Sequence, residues 1–260
     1  MSAFHPDWLR PVFNVPGVDA VMTTRRGGYS AAPFDSMNVR DALGDAPAAV
    51  ARNQALLAGA IGVPPVYLNQ VHGCRVVRLG QTDAHGTPPP LEADASVTTE
   101  RGIACAVQVA DCLPVLLAAP GGVAAAHAGW RGLAAGVLEA TLAALCKATG
   151  CPPAAVEVWL GPCIGPGRFE VGDDVRSAFG HDQVASLGLT GAPQAPRFAA
   201  LGNGKWLADL PLLARDRLSA AGVTSISGGG WCTVEDASRF FSFRRDRITG
   251  RMVAAIWLRG

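Results

Sequence analysis

Between Ile103 and Ala126 three apolar runs follow one another with little interruption: Ile103–Val109, Val115–Ala118 and Val123–Ala126. Pro114 and the Pro120-Gly121-Gly122 turn separate them. Short apolar runs bounded by such breakers read as buried strands, so the middle of the chain is expected to form the centre of a sheet. Further strands are expected at Pro65–Leu68, Arg75–Leu79, Val156–Leu160, Val223–Ser227 and Met252–Leu258.

Helical spacing appears elsewhere. Val50, Leu56 and Leu57 define an apolar face from Ala46 to Gly59, after the start signal Asp45-Ala46-Pro47. Val137, Leu138, Thr141, Leu142 and Leu145 define another from Leu133 to Ala148. A third helix is expected at Asp209–Ala221, with a weaker signal at Asp173–Phe179. The polar segment Thr82–Glu92, with Pro88, Pro89 and Pro90 in succession, reads as a surface loop in which His85 is solvated. Strands and helices mingle without strict alternation, which predicts a mixed-sheet α+β architecture rather than a regular parallel barrel. No repeat or low-complexity linker divides residues 1–260, so a single domain is expected.

Composition narrows the function. Charged residues make up only 17% of the 260 positions and hydrophobic ones 49%, too apolar for a disordered chain. The formal charge is +1, with no run of Lys or Arg, so neither a nucleic-acid backbone nor an anionic membrane finds its electrostatic footprint here. A small-molecule partner is expected. The seven cysteines are odd in number and form no CxxC pair, which argues against a disulfide framework. Pro6, Asp7 and Pro11 interrupt the stretch where a signal peptide needs an apolar core, and a cytoplasmic location with reduced thiols is the expectation.

Three coordinating side chains fall at the ends of expected elements. His72 follows a strand, Cys112 follows the strand ending at Ala110, and His127 closes the next strand pair. Two imidazoles and one thiolate make a three-donor set with a position left open, as in catalytic zinc sites. The spacing alone is not diagnostic. A buried thiol at Cys112 and a hydrogen-bonding histidine at 127 are the plain alternatives. Asp111 beside the thiol argues against simple core filling. The turn His127-Ala128-Gly129-Trp130-Arg131-Gly132 leads into a helix, where backbone amides and the Arg131 guanidinium could receive an anion such as phosphate. An ordinary strand-to-helix turn with a solvated Arg131 is the alternative. Arg25-Arg26-Gly27-Gly28 and Arg244-Arg245-Asp246-Arg247 offer further cations. Cys163 and Cys232 read as structural rather than nucleophilic, since no base lies near Cys163 in sequence.

NQVHG at Asn69–Gly73, ADCLP at Ala110–Pro114, AAHAGWRG at Ala125–Gly132 and GPCIGP at Gly161–Pro166 together resemble the YfiH-like family, long labelled multicopper polyphenol oxidase or laccase domain. The likeness runs from Thr23-Thr24-Arg25 and Gly27-Gly28, through Asn38 and Asn53, to Cys232-Thr233 and Phe241-Ser242-Phe243-Arg244-Arg245, and so covers nearly the whole chain. The resemblance implies a mixed α/β sandwich. It implies a zinc-dependent purine nucleoside enzyme with phosphorylase activity on adenosine, inosine, guanosine and methylthioadenosine, and with adenosine deaminase activity. Its metal ligands correspond to His72, Cys112 and His127, with copper as the alternative ion because copper outcompetes zinc on most N/S donors. Asp111 would orient a ligand or relay a proton. Arg25, Arg131 and Arg245 are the expected anion-binding residues, and Asn38 and Gln70 further substrate-binding candidates.

Some bacterial members of that family are described instead as peptidoglycan editing factors acting on serine-containing cell-wall precursors. A copper-dependent polyphenol oxidation is the other alternative. A true laccase also needs a histidine-rich trinuclear copper cluster, for which only His5, His85 and His181 remain. The chain departs from the family pattern at Gly167-Arg168-Phe169, where many members carry two cysteines and a tyrosine, and at Phe243, where tyrosine is common.

Overall fold

The computed structural model describes residues 4–85, 90–180 and 196–260. In chain order the first half contains β1 (Val18–Met22), α1 (Pro47–Ile61), β2 (Pro65–Val66), β3 (Val76–Arg78), β4 (Ala95–Thr98), β5 (Ala104–Val109), β6 (Leu113–Ala119) and β7 (Gly122–Ala128). Then follow α2 (Trp130–Ala134), α3 (Val137–Thr149), β8 (Glu157–Leu160), β9 (Glu170–Gly172) and α4 (Asp173–Ala178). The last part adds β10 (Phe198–Gly202), β11 (Lys205–Ala208), α5 (Leu210–Ala220), β12 (Ser225–Gly228), α6 (Phe243–Asp246) and β13 (Met252–Leu258).

Two mixed sheets carry the fold. One has the order β1-β13-β5-β2 and the other β12-β8-β6-β7-β4-β3, while β10-β11-β9 forms a small antiparallel sheet. Strand side chains alternate between faces, and here both faces of the central strands are buried. On β13, Met252, Ala254, Ile256 and Leu258 join the layer between the two large sheets, whereas Val253, Ala255 and Trp257 pack beneath Leu57 and Ile61 of α1. On β6, Leu116 and Ala118 join the same inter-sheet layer, whereas Leu113, Val115 and Leu117 face Val137, Leu138 and Leu142 of α3 and Leu213 of α5. The result is a helix, sheet, sheet, helix sandwich. A strand covered on both faces has no polar side, which is why the central runs are apolar throughout.

The mixed-sheet α+β expectation therefore holds, with corrections at element ends. The expected helix Leu133–Ala148 is two helices, because Gly136 takes a left-handed φ of 92° between them. The strand expected over Pro65–Leu68 stops at Val66, and part of the expected loop Thr82–Glu92 is a short 3-10 turn at Gln81–His85, with Asp83 accepting the Gly80 N–H. The His85 side chain, Pro88, Pro89 and His181 lie outside the described residues. Asp209 caps α5 by accepting the Leu212 N–H rather than forming its first turn.

Leu116 is fully buried in the inter-sheet layer. Leu116→Ala is expected to lower the unfolding free energy by about 2–5 kcal/mol in a denaturant titration, the usual range for a large-to-small core change. A loss below about 1 kcal/mol would contradict a closely packed layer there.

Candidate metal centre and its cavity

His127 follows Val123 and Ala125 along β7, so the two-residue period turns it toward the inter-sheet layer, at the strand's end. Cys112 lies in the turn from β5 to β6, where the chain crosses from one large sheet to the other. His72 stands in the turn after Asn69, which pairs with Glu92. The three side chains meet at the open edge of the sandwich, each offering a ligand atom within 4.8 Å of the others. His72 Nε2 lies 3.7 Å from Cys112 Sγ, close to the roughly 3.6 Å that tetrahedral bonds of zinc length would impose on such a pair. The donor set and its spacing fit a metal ion.

One buried carboxylate organises all of this. Asp94 is fully buried and accepts the backbone N–H groups of Val71 (3.2 Å), His72 (2.9 Å) and Gly73 (2.7 Å). Its Oδ1 also lies 2.8 Å from His127 Nδ1. The same group thus fixes the turn that presents His72 and orients the His127 ring, leaving Nε2 for the centre. Burial pushes the Asp94 carboxyl up, but His127 and the Gly73 and Val71 amides outweigh it and hold the group below the ordinary carboxylate value.

The thiol is tuned by its neighbours. Burial works to raise Cys112, but the His127 and His72 imidazoles bring it down to about 6. Burial likewise lowers His127, and the Cys112 thiolate and Asp94 reverse this, raising it to about 9. Burial pushes Cys105 up to about 12 and Cys146, with Cys151 beside it, to about 11. Cys163 is also driven well above its ordinary value, mainly by burial. Cys163 and Cys232 pair through a backbone bridge, consistent with structural roles.

Close packing explains the glycines of the AGWRG segment. A Cβ at Gly129 would stand 2.9 Å from the His72 ring and 3.0 Å from Cys112 Sγ, and one at Gly132 would stand 2.7 Å from the Gly73 carbonyl. Five described non-glycine residues have positive φ, and three of them, His72 (62°), Asp111 (91°) and Arg247 (62°), line the same cavity. Such strain gathers where side-chain placement matters more than backbone comfort.

The cavity has a volume of about 550 Å³ and opens over the three donors. Its lining is strongly cationic. Arg40, Arg131, Arg244, Arg247 and Arg251 face it, against Asp111 as the one acid among the described lining residues. Trp130, Phe169 and Phe243 supply aromatic surface, and Arg131 stacks 4.4 Å from the Trp130 ring centre.

The residues expected from sequence divide accordingly. His72, Cys112, His127, Asp111, Gln70 and Arg131 all line this cavity; Arg25, Arg245 and Asn38 are not among its lining residues. The Gln70 amide is paired with the Gln108 backbone, donating to its carbonyl and accepting its N–H, both at 2.8 Å. The Asp111 carboxylate accepts the Thr233 hydroxyl and the Arg244 N–H, each at 2.6 Å. Its oxygens thus tie the turn to the C-terminal segment, and the ligand-orienting part expected of Asp111 is played by Asp94.

Arg25 lies in a separate depression, bound to Asp35 and to the Ala237 carbonyl. Arg245 turns back to the carbonyls of Thr233, Val234 and Phe240 and to Asp246. Asn38 is fully buried and uses its amide on backbone and on Asp45. Sequence reasoning missed Asp94, whose one signal is a lone acid opening the wholly buried strand β4. It also missed Arg40 and Arg251, and it chose Arg245 where Arg244 and Arg247 face the cavity.

A sandwich of two mixed sheets with a His-Cys-His group at its edge defines a recognisable class. The chain belongs to the family described as multi-copper polyphenol oxidoreductase laccase, whose model matches residues 19–259. A purine nucleoside phosphorylase of Pseudomonas aeruginosa is 45% identical over 256 residues, covering 96% of this chain and 98% of its own. Purine nucleoside phosphorylase YfiH of Escherichia coli is 45% identical over 258 residues, covering 97% of each chain. A crystal structure of a Neisseria meningitidis protein, 42% identical, superposes with a TM-score of 0.86 and covers 98% of this chain and 100% of that one.

Two outcomes are expected at this centre. Asp94→Asn should weaken metal affinity about 10–100-fold in a chelator competition, as for other residues that orient ligating histidines; unchanged affinity would remove Asp94 from that role. In metal-free protein, the alkylation rate of Cys112, followed by peptide mapping, should rise with pH through about 6 and level above it, because the thiolate is the reactive form. A midpoint near the ordinary 9 would contradict the imidazole influence.

Proposed function

We propose that this protein is a metal-dependent purine nucleoside phosphorylase, working in the cytoplasm on nucleoside and inorganic phosphate. One observation carries the reading: the cavity combines a three-donor group able to hold a metal, a set of arginines with a single opposing acid among the described residues, and aromatic walls. The names of the similar Pseudomonas and Escherichia proteins point the same way. About 550 Å³ is within the range of pockets that bury a small ligand. Inosine, guanosine and methylthioadenosine are further substrates of the same reading, and adenosine deamination is a second reaction at the same centre.

Phosphorolysis forms a bond from a phosphate oxygen to the ribose C1′ and breaks the bond from C1′ to the purine nitrogen. The chain's own groups suit these demands. The arginines neutralise the incoming anion and aim its oxygens, and Arg131 stands at the start of α2, where backbone amides add to the attraction. Trp130, Phe169 and Phe243 offer flat apolar surface to the base and keep water from it. Gln70 and Gln108, locked to each other, set a fixed polar edge on one wall. His72, Cys112 and His127 would hold the metal, with zinc as the favoured ion for two nitrogens, one sulfur and a free position. When bound, the ion supplies Lewis acidity to a substrate oxygen.

The multi-copper reading attached to the family description finds less support. Among the described residues a single donor group of this kind converges, and His5 lies apart from it, accepting the Asp7 N–H in the N-terminal segment.

The test is a chromatographic product assay on metal-loaded protein with adenosine, with and without phosphate. Adenine and ribose 1-phosphate are expected only with phosphate, and inosine in both mixtures reports the deamination. Cys112→Ala should reduce both by at least about a hundredfold, the order lost with an essential catalytic group. No product from either mixture would overturn the proposal.

A further inference from the structure

We propose that Arg40 and Arg251, set side by side by the Asn38 amide, form a phosphoryl-oxyanion subsite in the cavity that holds His72, Cys112 and His127. The inference deepens the phosphorolysis reading and takes its ligand class from it. Asn38 Oδ1 accepts both the Arg40 N–H (3.1 Å) and the Arg251 N–H (2.9 Å), while Nδ2 donates to the Arg40 carbonyl (3.0 Å) and to Asp45 (2.8 Å). One buried side chain thereby pins together two segments that lie 213 positions apart. Gly250 permits the contact, since a Cβ there would stand 2.8 Å from Asn38 Cβ and from the Phe241 ring.

The pair is built for an anion. Several arginines outside the cavity have a carboxylate at hand: Arg25 meets Asp35, Arg197 meets Asp216, Arg217 meets Glu139 and Arg245 meets Asp246, whereas among the described residues Arg131, Arg244 and Arg247, which line it, are in no ion pair. Among the described residues neither Arg40 nor Arg251 is in an ion pair, although both face the cavity. Arg251 anchors Nη1 on the carbonyls of Thr249 and Gly250, both at 3.0 Å, which fixes the plane of its guanidinium. Burial first, and the Arg40 charge second, lower its proton affinity, with Cys112 and Asp111 opposing them. Two like charges facing one cavity, neither of them in an ion pair, are relieved by a ligand that carries the negative charge. A phosphoryl group, with several oxygens, matches two guanidinium forks at once. Asn38 touches no ligand in this arrangement; it is a positioning residue.

The test is isothermal titration of the metal-loaded protein with inorganic phosphate, and separately with adenosine 5′-monophosphate, on the wild type and on Arg40→Ala, Arg251→Ala and Arg251→Lys. Loss of a charge-assisted bidentate contact should weaken phosphate binding about tenfold or more in each alanine variant, with partial recovery in the lysine one. In turnover assays the phosphate KM should rise while the adenosine KM stays unchanged, a split that a general loss of structure would not produce. Asn38→Ala, if it folds, should reproduce the phosphate effect without removing a cation. If the monophosphate loses affinity while inorganic phosphate keeps it, the subsite receives a phosphoryl group carried by the nucleoside. Unaltered binding of both anions in both alanine variants, or no binding of either to the wild type, would overturn the subsite. Calorimetry reads the anion directly, so a protein that binds phosphate through these arginines but releases no base would refute phosphorolysis and leave the subsite standing.

Discussion

The Asp94 carboxylate is the interaction on which the site depends. It is fully buried, and in that setting an unpaired charge would be severely destabilising. Four partners answer it: three successive backbone amides and the His127 imidazole. Each partner is also a means of placement. The amides belong to the turn that holds His72 in a left-handed conformation, and the imidazole belongs to the donor group itself. Geometry of the first donor and orientation of the second therefore share one cause, and those two imidazoles in turn lower the proton affinity of the thiol between them.

The sandwich supplies what this constellation requires around it. Two large sheets packed face to face leave an open edge where β5 crosses to β6 and where β7 ends, and the donors stand there, His127 near the end of β7 and His72 and Cys112 in turns beside strands. Rigid strands buried on both faces resist displacement of those ends. The glycines at 129 and 132 then let α2 approach so closely that its first turn forms part of the cavity wall. Charge completes the design: among the described residues five arginines face the cavity against one acid, and that acid is engaged by Thr233 and the Arg244 amide.

Much of the fold is legible in the sequence wherever local pattern and tertiary context agree. β13 is read at its observed bounds, Met252–Leu258, because it is covered on both faces and apolar throughout. β4 is not, since its Ser96 and Thr98 are polar yet buried, and the Thr98 hydroxyl donates to the distant Leu79 carbonyl while accepting the Glu100 N–H. The break at Gly136 is a tertiary choice laid over an otherwise continuous helical period. The three candidate donors are legible through their motifs. Arg245 is not distinguished from Arg244 by composition, because only the helical phase of α6 decides which of two adjacent side chains turns back to Thr233, Val234 and Phe240 and which lines the cavity while meeting the Glu170 carbonyl. Arg40 and Arg251 carry no local signal at all; Asn38 joins them across the whole length of the chain.

The central claim is that His72, Cys112 and His127 share one metal ion, and X-ray absorption at the metal edge tests it most directly. Protein purified without added metal should show zinc with two imidazole nitrogens at about 2.0–2.1 Å and a single sulfur at about 2.3 Å, completed by a light-atom ligand that is not from the chain. A coordination shell without sulfur, or one with two or more sulfurs, would contradict the account.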